Sequence, residues 1–366
     1  MTISIHLRFT LVAGFAVSLL FGGEVYSQPV SRPNAIVDPV SKKNLPNPNP
    51  VVIKDWGLLP EGRTWAPTSG VDIGPDGHVW SYDRCGPPDN GCDGSTFAPI
   101  LKFDRRTGRI LQSFGAGLFV SPHGFYVDKV GNIWVADMLG NDAGTKGHQV
   151  IKFSPEGKEL MRLGKAGVAG DGPDTFNRPC DVITAPNGDI FVADGHAGGY
   201  ANLPPGSTGR IMKFTKDGKF IKEWGKIGEA PGEFRTPHAL AFDSRGRLFV
   251  ADRGNHRIQI FDQEGNFLDA YYQYGRVSGM FIDANDTLYA VESNPANNVG
   301  WKAGIRIGSA GEDKVTAFIP GHQIDTEPYS TSGEGVTVDF EGNVYVSESP
   351  LTVKVLGGGL TKYSKR

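Results

Sequence analysis

Few cysteines, few histidines and no charge excess mark this sequence. Three Cys and eight His occur among 366 residues. Lys plus Arg at 37 against Asp plus Glu at 40 leaves a net charge of −3. Such a balance provides no long-range attraction for nucleic acid or an anionic membrane. Helix-compatible stretches are also scarce. With 50 Gly and 25 Pro, at roughly 1 and 3 kcal/mol per interior helix position relative to Ala, a mainly helical fold is excluded. The one long apolar run, residues 9–21, is thirteen residues, too short at 1.5 Å per residue for a bilayer core of about 30 Å.

That run has the position and flanks of an export signal. Residues 1–8 are basic, and Val25-Tyr26-Ser27 places small residues at −3 and −1 of a cleavage site. The expectation is a signal segment over 1–27 and a secreted or periplasmic chain without stable membrane insertion. Cys85 and Cys92 bracket a Pro/Gly loop that a disulfide would staple in an oxidising compartment; two free thiols are the alternative. Residues 28–50 are rich in Pro and Asn without an apolar period, and read as a linker before a domain over 51–366.

Within that domain one pattern recurs six times: an alternating apolar strand, a tight turn, then a second apolar strand ending in an acid. The copies are GVDIGPDGHVWSYD, GFYVDKVGNIWVAD, DVITAPNGDIFVAD, ALAFDSRGRLFVAD, GMFIDANDTLYAVE and GVTVDFEGNVYVSE. Their turn residues are Gly77, Gly131, Gly188, Gly246, Asp286 and Gly342. Period-2 alternation across such turns is a hairpin signature. A third and a fourth strand follow in most copies, the fourth ending in pairs such as Phe114-Gly115 and Trp224-Gly225. Six four-stranded antiparallel units predict an all-β, six-bladed propeller. Residues 51–57, VVIKDWG, repeat the wording of a fourth strand, KFIKEWG. They are therefore expected to complete the last blade and leave no open edge.

Loops between second and third strands are long at 85–99, 138–148 and 195–209, which marks one face as the binding face. Eight residues before each turn position stand Ser69, His123, Cys180, His238, Ser278 and Glu334. His123, His238 and Glu334 fall on alternate blades, so they can converge on the axis as a ligand set for Zn²⁺ or another divalent ion. Cys180 shares the ring, as a soft ligand or as an inert buried thiol. Six residues after each turn an acid recurs, Asp83, Asp137, Asp194, Asp252, Glu292 and Glu348, which predicts a structural cap in each blade. Arg84 and Arg253 follow two of these acids and suit a substrate carboxylate. Arg253 can equally pair with an adjacent acid. His196, with Tyr200 four residues on, offers a general base.

The stretch FVADRGNHRIQIF at 249–261 resembles the NHL family of propellers. More specifically, SPHGFYVDKVGNIWVAD, RPCDVITAPNGDIFVADG and PGEFRTPHALAF resemble the core of peptidyl-α-hydroxyglycine α-amidating lyases. That resemblance implies a zinc held by three histidines, a structural calcium, and two arginines and a tyrosine beside the metal. It also implies cleavage of a C-terminal α-hydroxyglycine to a peptide amide and glyoxylate. His123 and His238 match two of the zinc histidines, and Arg84 and Arg253 match the arginines. The third histidine, in a Pro-His-Asp context, is replaced by Gly333-Glu334-Gly335, which also removes the acid associated with calcium. His196 stands in place of the tyrosine. The implied partner is a small molecule or peptide C-terminus taken up by a monomer. Two other classes fit the same scaffold: a non-catalytic ligand- or partner-binding propeller, and a lactonase-like metal hydrolase.

Overall fold

A computed structural model describes residues 38–86, 91–199, 202–204, 206–292, 301–323, 330–331 and 333–366. The export signal expected over 1–27 lies outside them, as do Tyr200 and Pro87–Asn90 of the Cys85–Cys92 loop.

Six four-stranded antiparallel sheets form the blades of a propeller. The innermost strands are Thr68–Ile73, Pro122–Val127, Pro179–Thr184, Pro237–Phe242, Gly279–Ile282 and Gly333–Val338. Burial grades outward from there. Second strands such as Ile133–Asp137 and Leu248–Asp252 are buried throughout, whereas fourth strands such as Phe220–Trp224 alternate on an open rim. The cause is stacking: a second strand has a neighbouring blade on each face, and its apolar side chains join clusters that run between blades.

Four of the predicted turns open on an Asp that caps the turn, and Gly74 and Ala185 stand in its place in blades one and three. Asp128 Oδ1 accepts the amides of Val130 and Asn132, and Asp339 Oδ1 those of Glu341 and Asn343. The residue that completes each turn is left-handed, at φ between 75° and 91° for the five glycines and 58° for Asp286. Asp tolerates that region better than most side chains, so blade five turns without a glycine.

Closure follows the expectation drawn from the repeat. Val51–Ile53 pairs antiparallel with the last strand, Leu360–Ser364, and completes the sixth blade. The preceding segment is more than a linker. Asp38 is buried, caps the short helix Pro39–Lys42, accepts the Lys302 amide at 2.8 Å and pairs with Arg306 at 3.3 Å. Pro46 accepts the amide of Phe318. Residues 38–46 thus dock on blade five. Composition hid this because one acid, one carbonyl and two apolar side chains, Val40 and Leu45, do the anchoring, too few to produce an apolar period.

Candidate metal centre and its basic surround

The inner strands carry the ring residues on irregularities. Pairing with the second strand shifts register between Thr68 and Gly70, Pro122 and Phe125, Pro179 and Asp181, Pro237 and Leu240, and Gly333 and Gly335. Ser69, His123, Cys180, His238 and Glu334 all sit within these shifts. A bulge breaks alternation and re-aims a side chain; here it turns ring residues toward the axis. The following glycines let neighbouring strands close in. A Cβ on Gly70 would lie 2.3 Å from Phe125 Cβ, and one on Gly124 would lie 2.5 Å from Asp181 Cα.

His123 and His238 are fixed identically. Each Nδ1 is 2.7 Å from a carbonyl of the adjacent blade, Cys180 for His123 and Ser278 for His238. Since a carbonyl only accepts, Nδ1 carries the proton, and Nε2 keeps its lone pair. Both Nε2 atoms are buried without a hydrogen-bond partner. The rings lie 4.7 Å apart between centroids. Glu334 brings Oε2, also buried without a hydrogen-bond partner, to 4.0 Å from His238 Nε2. Below them a cavity of about 60 Å³ is bordered by His123, His238, Cys180 and Glu334.

His196, assigned from sequence to proton transfer, joins the same cluster. His123, His196 and His238 offer three ligand atoms within 4.8 Å of one another, all from buried residues. All three rings are held well below the ordinary imidazole range, first by burial and then by nearby cationic groups. Neutral imidazoles are the donor state a divalent metal requires. The donor set therefore fits such an ion, with the three histidines placed to hold it.

Arginines surround this cluster. Arg253 donates to His196 Nε2 at 3.0 Å. It forms no carboxylate pair among the described residues; Asp252 takes Arg257 instead, at 2.8 Å. Arg84 donates through Nε to the Pro122 carbonyl at 3.1 Å. Sequence reasoning missed Arg178 and Arg276, whose charges also bear on His196. Both stand two residues before a ring position, so the same counting shifted by two would have found them.

A further residue missed from the sequence is Thr236, which occupies that shifted register in blade four. Its backbone is left-handed at φ 71°, unusual for a β-branched side chain. Its hydroxyl donates to the His196 carbonyl at 3.1 Å, and its own carbonyl accepts the Arg253 amide at 3.0 Å. Thr236 thus ties together the turns that carry His196 and Arg253.

The recurring acids act as caps where their bonds are described. Asp83 accepts the amides of Ala66 and Cys85, Asp137 those of Val120 and Ser121, Asp194 that of Asn177, and Asp252 that of Arg235. Glu348 departs from this pattern and binds His322 and Thr361. Cys85 and Cys92 are joined by a disulfide, and Cys180 is a buried thiol outside it. Among the described residues no helix is long and apolar enough to cross a membrane.

Comparison with known proteins agrees with this geometry. Residues 234–261, most of blade four, match the NHL repeat family. The chain is 34% identical over 291 residues to peptidyl-glycine α-amidating monooxygenase A of Xenopus laevis, covering 74% of this chain and 28% of that protein. It is 32% identical over 223 residues to a probable peptidyl-α-hydroxyglycine α-amidating lyase of Caenorhabditis elegans, covering 56% of this chain and 58% of the other. This chain therefore spans less than two thirds of either relative. A gluconolactonase from Xanthomonas campestris superimposes with a TM-score of 0.55 at 16% identity, over 85% of this chain and 88% of the other, and shares the fold alone. The chain is a six-bladed β-propeller with an NHL-repeat match in its fourth blade, and it resembles the peptidyl-α-hydroxyglycine α-amidating lyases.

Proposed function

We propose that this protein is an exported, metal-dependent carbon–nitrogen lyase acting on a small or peptide-borne carbinolamide that carries a carboxylate, of the peptidyl-α-hydroxyglycine type. The observation that supports it most is the set of buried imidazoles of His123, His196 and His238, each offering a ligand nitrogen within 4.8 Å of the others, under a guanidinium shell.

His123 and His238 would hold a divalent ion, zinc first among candidates, through Nε2, with Glu334 as the third ligand. Such an ion would supply Lewis acidity toward a substrate hydroxyl. The chain's own groups do the rest. Arg84 and Arg253 bind and orient the carboxylate, a geometry suited to planar guanidinium groups. While Arg253 donates to His196 Nε2, that nitrogen is occupied as an acceptor. A substrate carboxylate that draws Arg253 away frees the Nε2 lone pair. His196 then accepts the hydroxyl proton as the C–N bond breaks, and returns it to the departing amide nitrogen. The products are an amide and glyoxylate, and no further reactant is needed.

A second ligand arrangement is favoured by one observation: His196 itself lies within ligand distance of the other two rings. Glu334→Gln and His196→Ala separate the two. Under the first arrangement Glu334→Gln loses metal, while His196→Ala keeps metal and loses glyoxylate release from a peptidyl-α-hydroxyglycine. Metal loss confined to His196→Ala reverses the ligand assignment. A metal-loaded wild type that releases no glyoxylate overturns the lyase reading.

A further inference from the structure

The opposite end of the channel holds a much larger cavity, of about 640 Å³. Its walls are largely apolar and include Ile73, Tyr126, Ile183, Phe242 and Ile282 from the inner strands of five blades. Val71, Phe125, Asp181, Met280 and Val336 border both this cavity and the small one beneath the histidines, and so form the waist between them.

Two carboxylates mark the deep part of this cavity. Asp72 and Asp181 are half-buried side chains on the cavity wall. They straddle the inner strand of blade two. Asp72 Oδ2 accepts the Val127 amide from one side, and Asp181 contacts that strand at Gly124 from the other. Each also accepts the next amide of its own strand, Ile73 and Val182 respectively, and Asp181 Oδ2 accepts that of Leu240. Their partners are thus all neutral groups; among the described residues neither Asp72 nor Asp181 forms an ion pair. At the rim, Asp128, Asp243 and Asp283 outnumber Lys129. Asp243 is paired with Arg247, and Asp128 and Asp283 cap their own turns. The uncompensated charge is therefore at the depth of the cavity. The carboxyls rise to about 6 for Asp72 and about 7 for Asp181, through burial first, and Asp72 adds to the rise at Asp181.

Amides and, for Asp72, the Thr337 hydroxyl solvate these two carboxylates without neutralising them, so an approaching cation meets uncompensated charge. Cavities of about 300–1,000 Å³ with apolar walls and a few convergent polar groups are the usual form of small-molecule sites. We propose that this cavity is a second ligand site, which takes an organic ammonium with an apolar body, its nitrogen between Asp72 and Asp181 and its body against Tyr126, Phe242 and Ile282. The assignment is independent of the lyase reading, because it uses no residue of the histidine cluster.

Calorimetric titration of the metal-loaded protein with benzylamine, benzyl alcohol, benzoate and calcium chloride alone tests it. Benzylamine should bind one to one, and benzyl alcohol at least about tenfold more weakly, as expected for loss of a charge-assisted hydrogen bond. Benzoate should not bind. Asp72→Asn and Asp181→Asn should each weaken benzylamine about tenfold or more while leaving metal content unchanged. Ala284→Trp, at an exposed rim position, should block entry without touching the core, and decides the matter if the Asn variants do not fold. Equal affinity for amine and alcohol overturns the proposal. So does indifference of benzylamine binding to Ala284→Trp. Calcium binding in the absence of amine binding, lost in the Asn variants, makes the site a metal site and overturns it as well.

Discussion

The two ends of the central channel are made from the same six inner strands and differ in charge. At one end stand His123, His196 and His238 with Arg84, Arg178, Arg253 and Arg276 around them. At the other, Asp72 and Asp181 face a cavity about ten times larger by volume. The difference comes from strand periodicity. The bulges at the start of five of the inner strands turn ring residues such as His123 and His238 into the upper channel. Two or three residues farther on the strand has resumed regular pairing. The proposed anion-binding and cation-binding ends thus lie a few residues apart on the same strands, with apolar side chains such as Phe125 and Met280 between them.

The largest expected effect comes from breaking the upper end outright. His123→Ala combined with His238→Ala should lower metal affinity by more than about 100-fold, since even outer partners of metal ligands cost about 10–100-fold. Elemental analysis after dialysis reads this directly, and metal content equal to wild type would contradict the site. Arg84→Ala should be next, with a loss of about 10–100-fold in kcat/KM for a carboxylate-bearing substrate and unchanged metal content. An equal loss for a neutral substrate analogue would show that the arginine acts on something other than the carboxylate.

Smaller effects sharpen the contrast. Thr236→Val removes one hydroxyl that ties His196 to the Arg253 turn, and should cost about threefold to tenfold in kcat. Thr236→Ser should restore most of it, with metal content and lower-cavity binding unaffected in both variants. The smallest effect concerns the caps. Burial lifts Asp137 to about 7 in the folded protein, above its ordinary value of 3.8. The folded state then binds more protons than the unfolded state between those values, so this group's contribution to stability declines as pH rises from about 4 through about 7. Asp137→Asn, which keeps an acceptor for the Val120 or Ser121 amide, should flatten that decline in denaturant melts at pH 5 and pH 8. A slope identical to wild type would assign the pH dependence to other buried acids.

Legibility in the sequence was uneven for physical reasons. Strand alternation, turn residues and the repeated acid are local constraints paid in every blade, so the propeller, its closure by residues 51–57 and the capping role of Asp83, Asp137, Asp194 and Asp252 could be read in advance. The register that placed His123, His238 and Glu334 on one ring is equally a repeat property. His196 and Thr236 belong to another class. His196 comes from a loop after the second strand, which obeys no periodicity, and it meets the ring only because Thr236 and the Arg178 carbonyl hold its turn there. The docking of residues 38–46 on blade five depends on Asp38 finding Arg306, a partner 268 residues away. Sequence by itself determined the number of blades, the strand order and which side chains share a level, because period-2 alternation and turn chemistry act between near neighbours. Only the tertiary structure decided which of those side chains meet. Distances across a closed ring depend on bulges, on glycines that let strands approach within a few ångströms, and on loops that fold back over the axis.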